Sequence, residues 1–207
     1  MAGEQMIQQM NSPTHPVLAK DRVCYAGQAI AIVVAQDHYV AAEAIELILV
    51  DYEPLTPIMD PDEAIKSDSP VIHAELGANV SIRLKQEGGD VEAAFAQADH
   101  VVRQKYDSQR IAPAPMEPRG ILAHYESDDE TLTIWNSTQA PHRVKGYLCE
   151  ALKVPEGKMR VVAPDVGGSF GMKDCIYPED VLVPYLSMKL ERPIKWLESR
   201  QENTLSY

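Results

Sequence analysis

The 207-residue chain is 45% hydrophobic and 24% charged, which places it among folded globular proteins rather than disordered ones. A formal net charge of −12 repels phosphate backbones and anionic bilayers, so neither nucleic acid nor a membrane is an expected partner. Cys24, Cys149 and Cys175 show no Cys-x-x-Cys spacing, which argues against a disulfide framework, a structural zinc site or an iron–sulfur cluster on this chain.

Residues 1–16 are polar, carry Pro13 and Pro16, and lack the basic and apolar regions of a signal peptide; they are expected to fray. No run approaches the ~20 apolar residues of a membrane span, and the expected location is cytoplasmic. The β-branched run Gln28–Ala35 reads as a buried strand. From His38, apolar residues at Val40, Ala41, Ala44, Ile45 and Ile48 recur at helical spacing, and a second strand is expected from about Leu47 through Tyr52. Asp60-Pro61-Asp62-Glu63 is a helix start, with a capping Asp, Pro in the first turn and acids suited to the dipole. The polar stretch Lys66–Pro70 is a candidate linker.

Beyond it, Val80–Lys85 reads as a strand, Gly88-Gly89-Asp90 caps a helix with Val91, Ala94, Phe95 and Ala98 on one face, and His100–Tyr106 reads as a strand. Gly120–Tyr125 and Thr131–Trp135 flank an acidic turn and predict a β-hairpin. Helices are expected over Pro141–Leu152 and Pro178–Leu190, the latter kinked or started late by Pro184, with strands over Met159–Ala163 and Ile194–Leu197. The class is α/β (α+β). Both ends read as cut from something longer.

Three segments carry candidate chemistry. In Val161–Lys173 a strand runs into Gly167, Gly168 and Gly171, which permit positive φ and close backbone approach to a ligand; a nest of N–H groups for an anion or oxo group and a tight turn without ligand both fit. The spacing meets neither the Rossmann nor the Walker pattern, although Lys173 beside the glycines suggests phosphate. In Asn136–His142, Gln139 ends a strand with an amide able both to donate and to accept, while Ser137 or Thr138 suits a helix cap. In Ala112–Gly120, three prolines stiffen the backbone around Glu117 and Arg119, which pair with each other or leave Arg119 to hold an anion.

Met-Glu-Pro-Arg-Gly at 116–120, Ser-Thr-Gln-Ala-Pro-His at 137–142 and Gly-Gly-Ser-Phe-Gly at 167–171 occur in that order in the molybdenum hydroxylases, and the chain resembles that family. Gly89-Asp90-Val91 with Phe95 and Ala98-Asp99 belongs to the same pattern, as does Arg192–Trp196 with Glu198, Arg200 and Glu202. The block from Asp21 to Leu55 resembles the later half of the family's α/β-hammerhead.

The resemblance implies a partial hammerhead over 17–68 and the first part of a molybdopterin-binding domain over 79–207. It implies that Gln139 meets a molybdenum oxo ligand, and that Gly167, Gly168, Phe170 and Gly171 form a loop against the metal centre and its dithiolene. Ser169 stands where many members have a third glycine, and Asp174 falls where purine oxidisers carry a glutamate. The implied activity is hydroxylation or oxidation of an aldehyde, heterocycle or CO with water as oxygen source. The implied cofactor is molybdenum–molybdopterin, as a cytosine dinucleotide, with electrons leaving through iron–sulfur and FAD partner subunits. The general base and the remainder of the large subunit are expected outside this chain, and no protein side chain here is expected to bind metal directly. A split-gene product that acts only within an assembly, and a phosphate- or nucleotide-binding protein using Lys173, are the alternatives.

Overall fold

The computed structural model describes residues 5–7, 10, 12–86 and 88–205. Contacts group the chain into two units, residues 1–15 with 49–109, and residues 16–48 with 110–207. Among the described residues no helix is long and apolar enough to cross a membrane.

The first unit has no buried residue among those described. Strand β1 (Gln5–Ile7), read from sequence as a frayed end, pairs antiparallel with β2 (Leu84–Gln86), so the strand expected at Val80–Lys85 forms only at its end. Asp60 caps the short helix α2 (Pro61–Ala64), its carboxylate accepting from the N–H groups of Asp62 and Glu63. Asp90 likewise caps α3 (Val91–Ala96) through the N–H of Ala93. The segment from Ala64 to Asn79 is closed by one amide: Asn79 Nδ2 donates to the carbonyls of Ala64 and Pro70 while its Oδ1 accepts from Ile72 N.

The second unit contains helix α1 (His38–Glu46), capped by Asp37, and a four-stranded sheet in the order β5-β4-β3-β6. Strands β3 (Gly120–Glu126) and β4 (Thr131–Asn136) form the expected hairpin. Helix α4 (Pro141–Leu152) then returns the chain so that β5 (Met159–Val162) lies parallel to β4. Helix α5 (Pro178–Leu190) leads to β6 (Ile194–Leu197), antiparallel to β3, and α6 (Arg200–Leu205) follows.

Alternation decides the core. Ile121 and Ala123 on β3 and Leu132 and Ile134 on β4 point to one face, where Val144 and Leu148 of α4 and Val183 of α5 meet them. Pro184 neither delays nor breaks α5; it is buried within it. Just ahead of β6, the buried Ser187 hydroxyl of α5 accepts from Tyr125 N and donates to the Arg192 carbonyl, bridging β3 to the segment that leads into β6.

Three expected strands are absent. Gln28–Ala35, Leu47–Tyr52 and His100–Tyr106 form no ladder with any described segment; a β-rich run becomes a strand only where it pairs with another edge. The apolar stripe of α1 is correspondingly uncovered, with Val40 and Ile45 exposed, as is Ile48 just past its C-cap.

Candidate functional site

Topology gathers the three candidate segments at one end of the sheet. Because β4 and β5 are parallel, the segments that follow them, residues 137–139 and 163–171, emerge side by side. Because β3 is antiparallel to both β4 and β6, the segment before it and Glu198 after β6 reach that same end. Residues 117, 139, 169, 173 and 198 thus converge although they span 82 positions in sequence.

Glu117 is the hub. Its Oε2 accepts from Gly167 N at 2.6 Å, Lys173 Nζ at 2.8 Å and Ser137 Oγ at 3.1 Å. Burial acts to raise this carboxyl, but the hydrogen bonds from Lys173 and Gly167 outweigh it and hold it below the usual carboxylate range. The Lys173 side chain is wholly enclosed, and its ammonium is committed to Glu117. That geometry does not offer Lys173 to phosphate, contrary to the suggestion of its place beside the glycines.

Glu117 and Arg119 do not pair with each other. Arg119 turns the other way, its Nε and Nη2 donating to Glu198 Oε1 at 2.9 and 2.6 Å and its Nη1 to Glu179 at 3.2 Å. The guanidinium lies 3.7 Å from the centroid of the Tyr177 ring. Asn203 on α6 donates to the other Glu198 oxygen. Nearby, Asp180 accepts from Tyr177 N and Asn136 Nδ2; burial dominates there and pushes its carboxyl above the usual range.

The glycine loop is pinned at both ends. Gly167 N–H is held by Glu117, and a Cβ at Gly167 would stand 2.7 Å from the Glu117 Cβ. At the far end, the Lys173 carbonyl accepts from Thr138 Oγ1 and Gln139 N. Between them Gly168, Phe170 and Gly171 take positive φ values of 94°, 53° and 96°, while Ser169 does not, so the serine is compatible with the loop without strain. The Ser169 hydroxyl accepts from Lys173 N and donates to Gln139 Oε1, which joins two sequence-predicted segments directly. Phe170 is 76% exposed. The N–H groups of Ser169, Phe170 and Gly171 find no acceptor among the described residues. Three consecutive donors on an open loop with left-handed residues suit an anionic or oxo-bearing group.

Helix α4 begins at Pro141 with Ala140 at its N-cap and no side-chain cap, so neither Ser137 nor Thr138 caps it; Thr138 Oγ1 accepts from Ala140 N in the turn before the helix, and Gln139 is exposed. His142 is exposed, and Arg143 on the same helix pairs with Asp174 at 2.7 Å. Among the described residues no cluster of three metal-ligating side chains occurs. The Glu117–Lys173 pair and the contribution of Asn203 were not legible in sequence, because partners 56 residues apart leave no local pattern.

The fold and the site together define an α/β domain that presents one wall of polar, glycine-rich backbone. The molybdopterin cofactor-binding domain family matches residues 72–207, and the aldehyde oxidase and xanthine dehydrogenase a/b hammerhead domain matches residues 1–56. The chain belongs to this molybdenum hydroxylase family.

It is 43% identical over 193 residues to the nicotine 6-hydroxylase large subunit of Paenarthrobacter nicotinovorans, covering 93% of this chain and 24% of that one. It is 38% identical over 200 residues to the carbon monoxide dehydrogenase large chain of Afipia carboxidovorans, covering 90% and 25%. The crystal structure of quinoline 2-oxidoreductase from Pseudomonas putida 86 superposes with a TM-score of 0.87 at 32% identity, covering 97% of this chain and 25% of that one. The chain therefore spans about a quarter of the length of these relatives.

Proposed function

We propose that the chain forms one wall of a molybdenum–molybdopterin site in a large subunit that hydroxylates or oxidises a small molecule, an aldehyde, a heterocycle or CO, with water as the oxygen donor. The observation that carries this is the joining of Gln139 to an open loop, 167–171, whose three consecutive N–H groups, at 169–171, find no acceptor among the described residues. These residues fit the group. When bound, it supplies the two-electron acceptor for substrate oxidation.

This chain's part is to hold and orient. Gln139 offers amide donors to an electron-rich ligand atom. Gly168 and Gly171 keep the backbone bare of side chains, so that the N–H groups of 169–171 are reachable. Phe170 presents an exposed ring beside them. Glu117 and Lys173 fix the loop from behind and stay out of the chemistry. No general base is assigned within residues 1–207.

The reading takes residues 17–68 as a partial hammerhead and 79–207 as the first part of the cofactor-binding domain, the cofactor as the cytosine dinucleotide form, and the partners as iron–sulfur and FAD subunits and the remainder of the large subunit. A cytoplasmic location accords with three unbridged cysteines.

The test is Gln139→Ala in the assembled enzyme. Turnover should fall on the order of 100-fold, the scale for removing one oriented donor, while the melting temperature stays unchanged. An unchanged rate, or an assembly purified without molybdenum and pterin, overturns the reading.

A further inference from the structure

We infer that Ser169 is a positioning residue that sets which end of the Gln139 amide faces the ligand. The inference rests on the reading above that Gln139 meets the cofactor. A serine hydroxyl carries one proton and accepts through its lone pairs. At Ser169 an acceptor position is taken by Lys173 N–H at 3.1 Å, and the proton goes to Gln139 Oε1. The Gln139 carbonyl is therefore engaged on the protein side. Its Nε2 occupies the other branch of the same planar carbon, exposed and without an acceptor among the described residues. The result is a pure donor presented outward.

Without the hydroxyl nothing on the protein side decides the orientation before the ligand arrives. The terminal torsion of glutamine is broad and roughly two-fold, so the amide turns over readily and presents its carbonyl half of the time. A carbonyl oxygen facing an oxo or other electron-rich atom repels it, whereas the NH2 group binds it. A glycine or alanine at 169 lacks the proton that makes this choice. Alanine is a clean probe, because Ser169 is not in the left-handed region. The chain that fixes the serine runs further back, since Lys173, whose N–H anchors the hydroxyl, is itself held by Glu117 and by Thr138. Gln139 thus inherits its orientation from the buried end of the loop.

The experiment needs no cofactor. In the 207-residue chain, the Gln139 side-chain amide is followed by 15N and 13C NMR, assigned by its loss in Gln139→Ala. The wild type should give one sharp NH2 pair and a carbonyl carbon shifted by hydrogen bonding. Ser169→Ala should move both toward the values of a freely turning glutamine, and Ser169→Thr should restore them. In the assembled enzyme, Ser169→Ala should lower kcat about tenfold with KM unchanged, the size expected when a donor is present but misoriented. Unchanged Gln139 signals in Ser169→Ala, or failure of threonine to restore them, overturn this inference and leave the functional reading standing. An unchanged rate in Gln139→Ala overturns the functional reading whatever the NMR shows.

Discussion

The Glu117–Lys173 pair should respond very differently to loss of one partner or the other. At 2.8 Å and an effective dielectric constant of ~20 their attraction is about 6 kcal/mol, most of it offset by the desolvation of the ammonium. The two ends are not alike: the Lys173 side chain is 0% exposed and that of Glu117 is 39% exposed. Glu117→Gln keeps an acceptor for Gly167 and Lys173 but strands a buried positive charge, which costs about 3 kcal/mol. Lys173→Met removes the charge and fills its place, and Glu117 keeps Gly167 and Ser137 and gains water, so the cost is about 1 kcal/mol. The double variant should recover about 2 kcal/mol relative to the sum of the singles. Urea unfolding at neutral pH provides the assay. Both tryptophans, Trp135 and Trp196, lie in the sheet that carries the site, so their fluorescence reports the relevant unit. A Lys173→Met variant as unstable as Glu117→Gln, or more so, refutes the argument from burial.

The same carboxyl sets a pH dependence. Glu117 is held below the usual range in the folded chain, so its stabilisation is present above the ordinary carboxylate pKa of about 4.3 and is lost as pH falls through its lowered value. Asp180 is raised, so its contribution is full below the ordinary Asp value of about 3.9 and is lost as pH rises through its folded value. The fall of stability towards acid pH should therefore be shallower in Glu117→Gln, and the fall towards higher pH shallower in Asp180→Asn; an unaltered profile in either would show that the assignment is mistaken. Gly167→Ala places a methyl 2.7 Å from the Glu117 Cβ and should cost about 1–3 kcal/mol, with weakened protection of the 167–173 amides in hydrogen exchange. Ser187→Ala leaves Tyr125 N and the Arg192 carbonyl unpaired where β3 runs past the start of β6 and should cost about 2 kcal/mol in denaturant unfolding; a cost near zero would mean that water replaces the hydroxyl there.

What was legible in sequence divides by range. Local signals were sufficient for the hairpin, for α4 and α5 to the residue, and for the caps at Asp60 and Asp90, because capping, helical periodicity and turn chemistry act within a few residues. They failed at Gln28–Ala35 and His100–Tyr106, where composition favoured a strand but pairing did not follow. They also missed α6, a short polar helix with no apolar stripe, whose buried Asn203 is oriented by Glu198 and Arg200.

The candidate site shows the same division. Glycines at 167, 168 and 171 and the amide at 139 were readable as residue types suited to a ligand, and their order carried the family resemblance. Whether Lys173 faced a phosphate or a carboxylate of the chain itself was not readable, since the answer lies in Glu117, 56 residues away. Nor was the duty of Ser169. The sequence by itself determined which groups were available. The parallel placement of β4 and β5 brought Gln139 against Ser169, because direct hydrogen bonding acts over about 3 Å and only the folded chain sets that spacing.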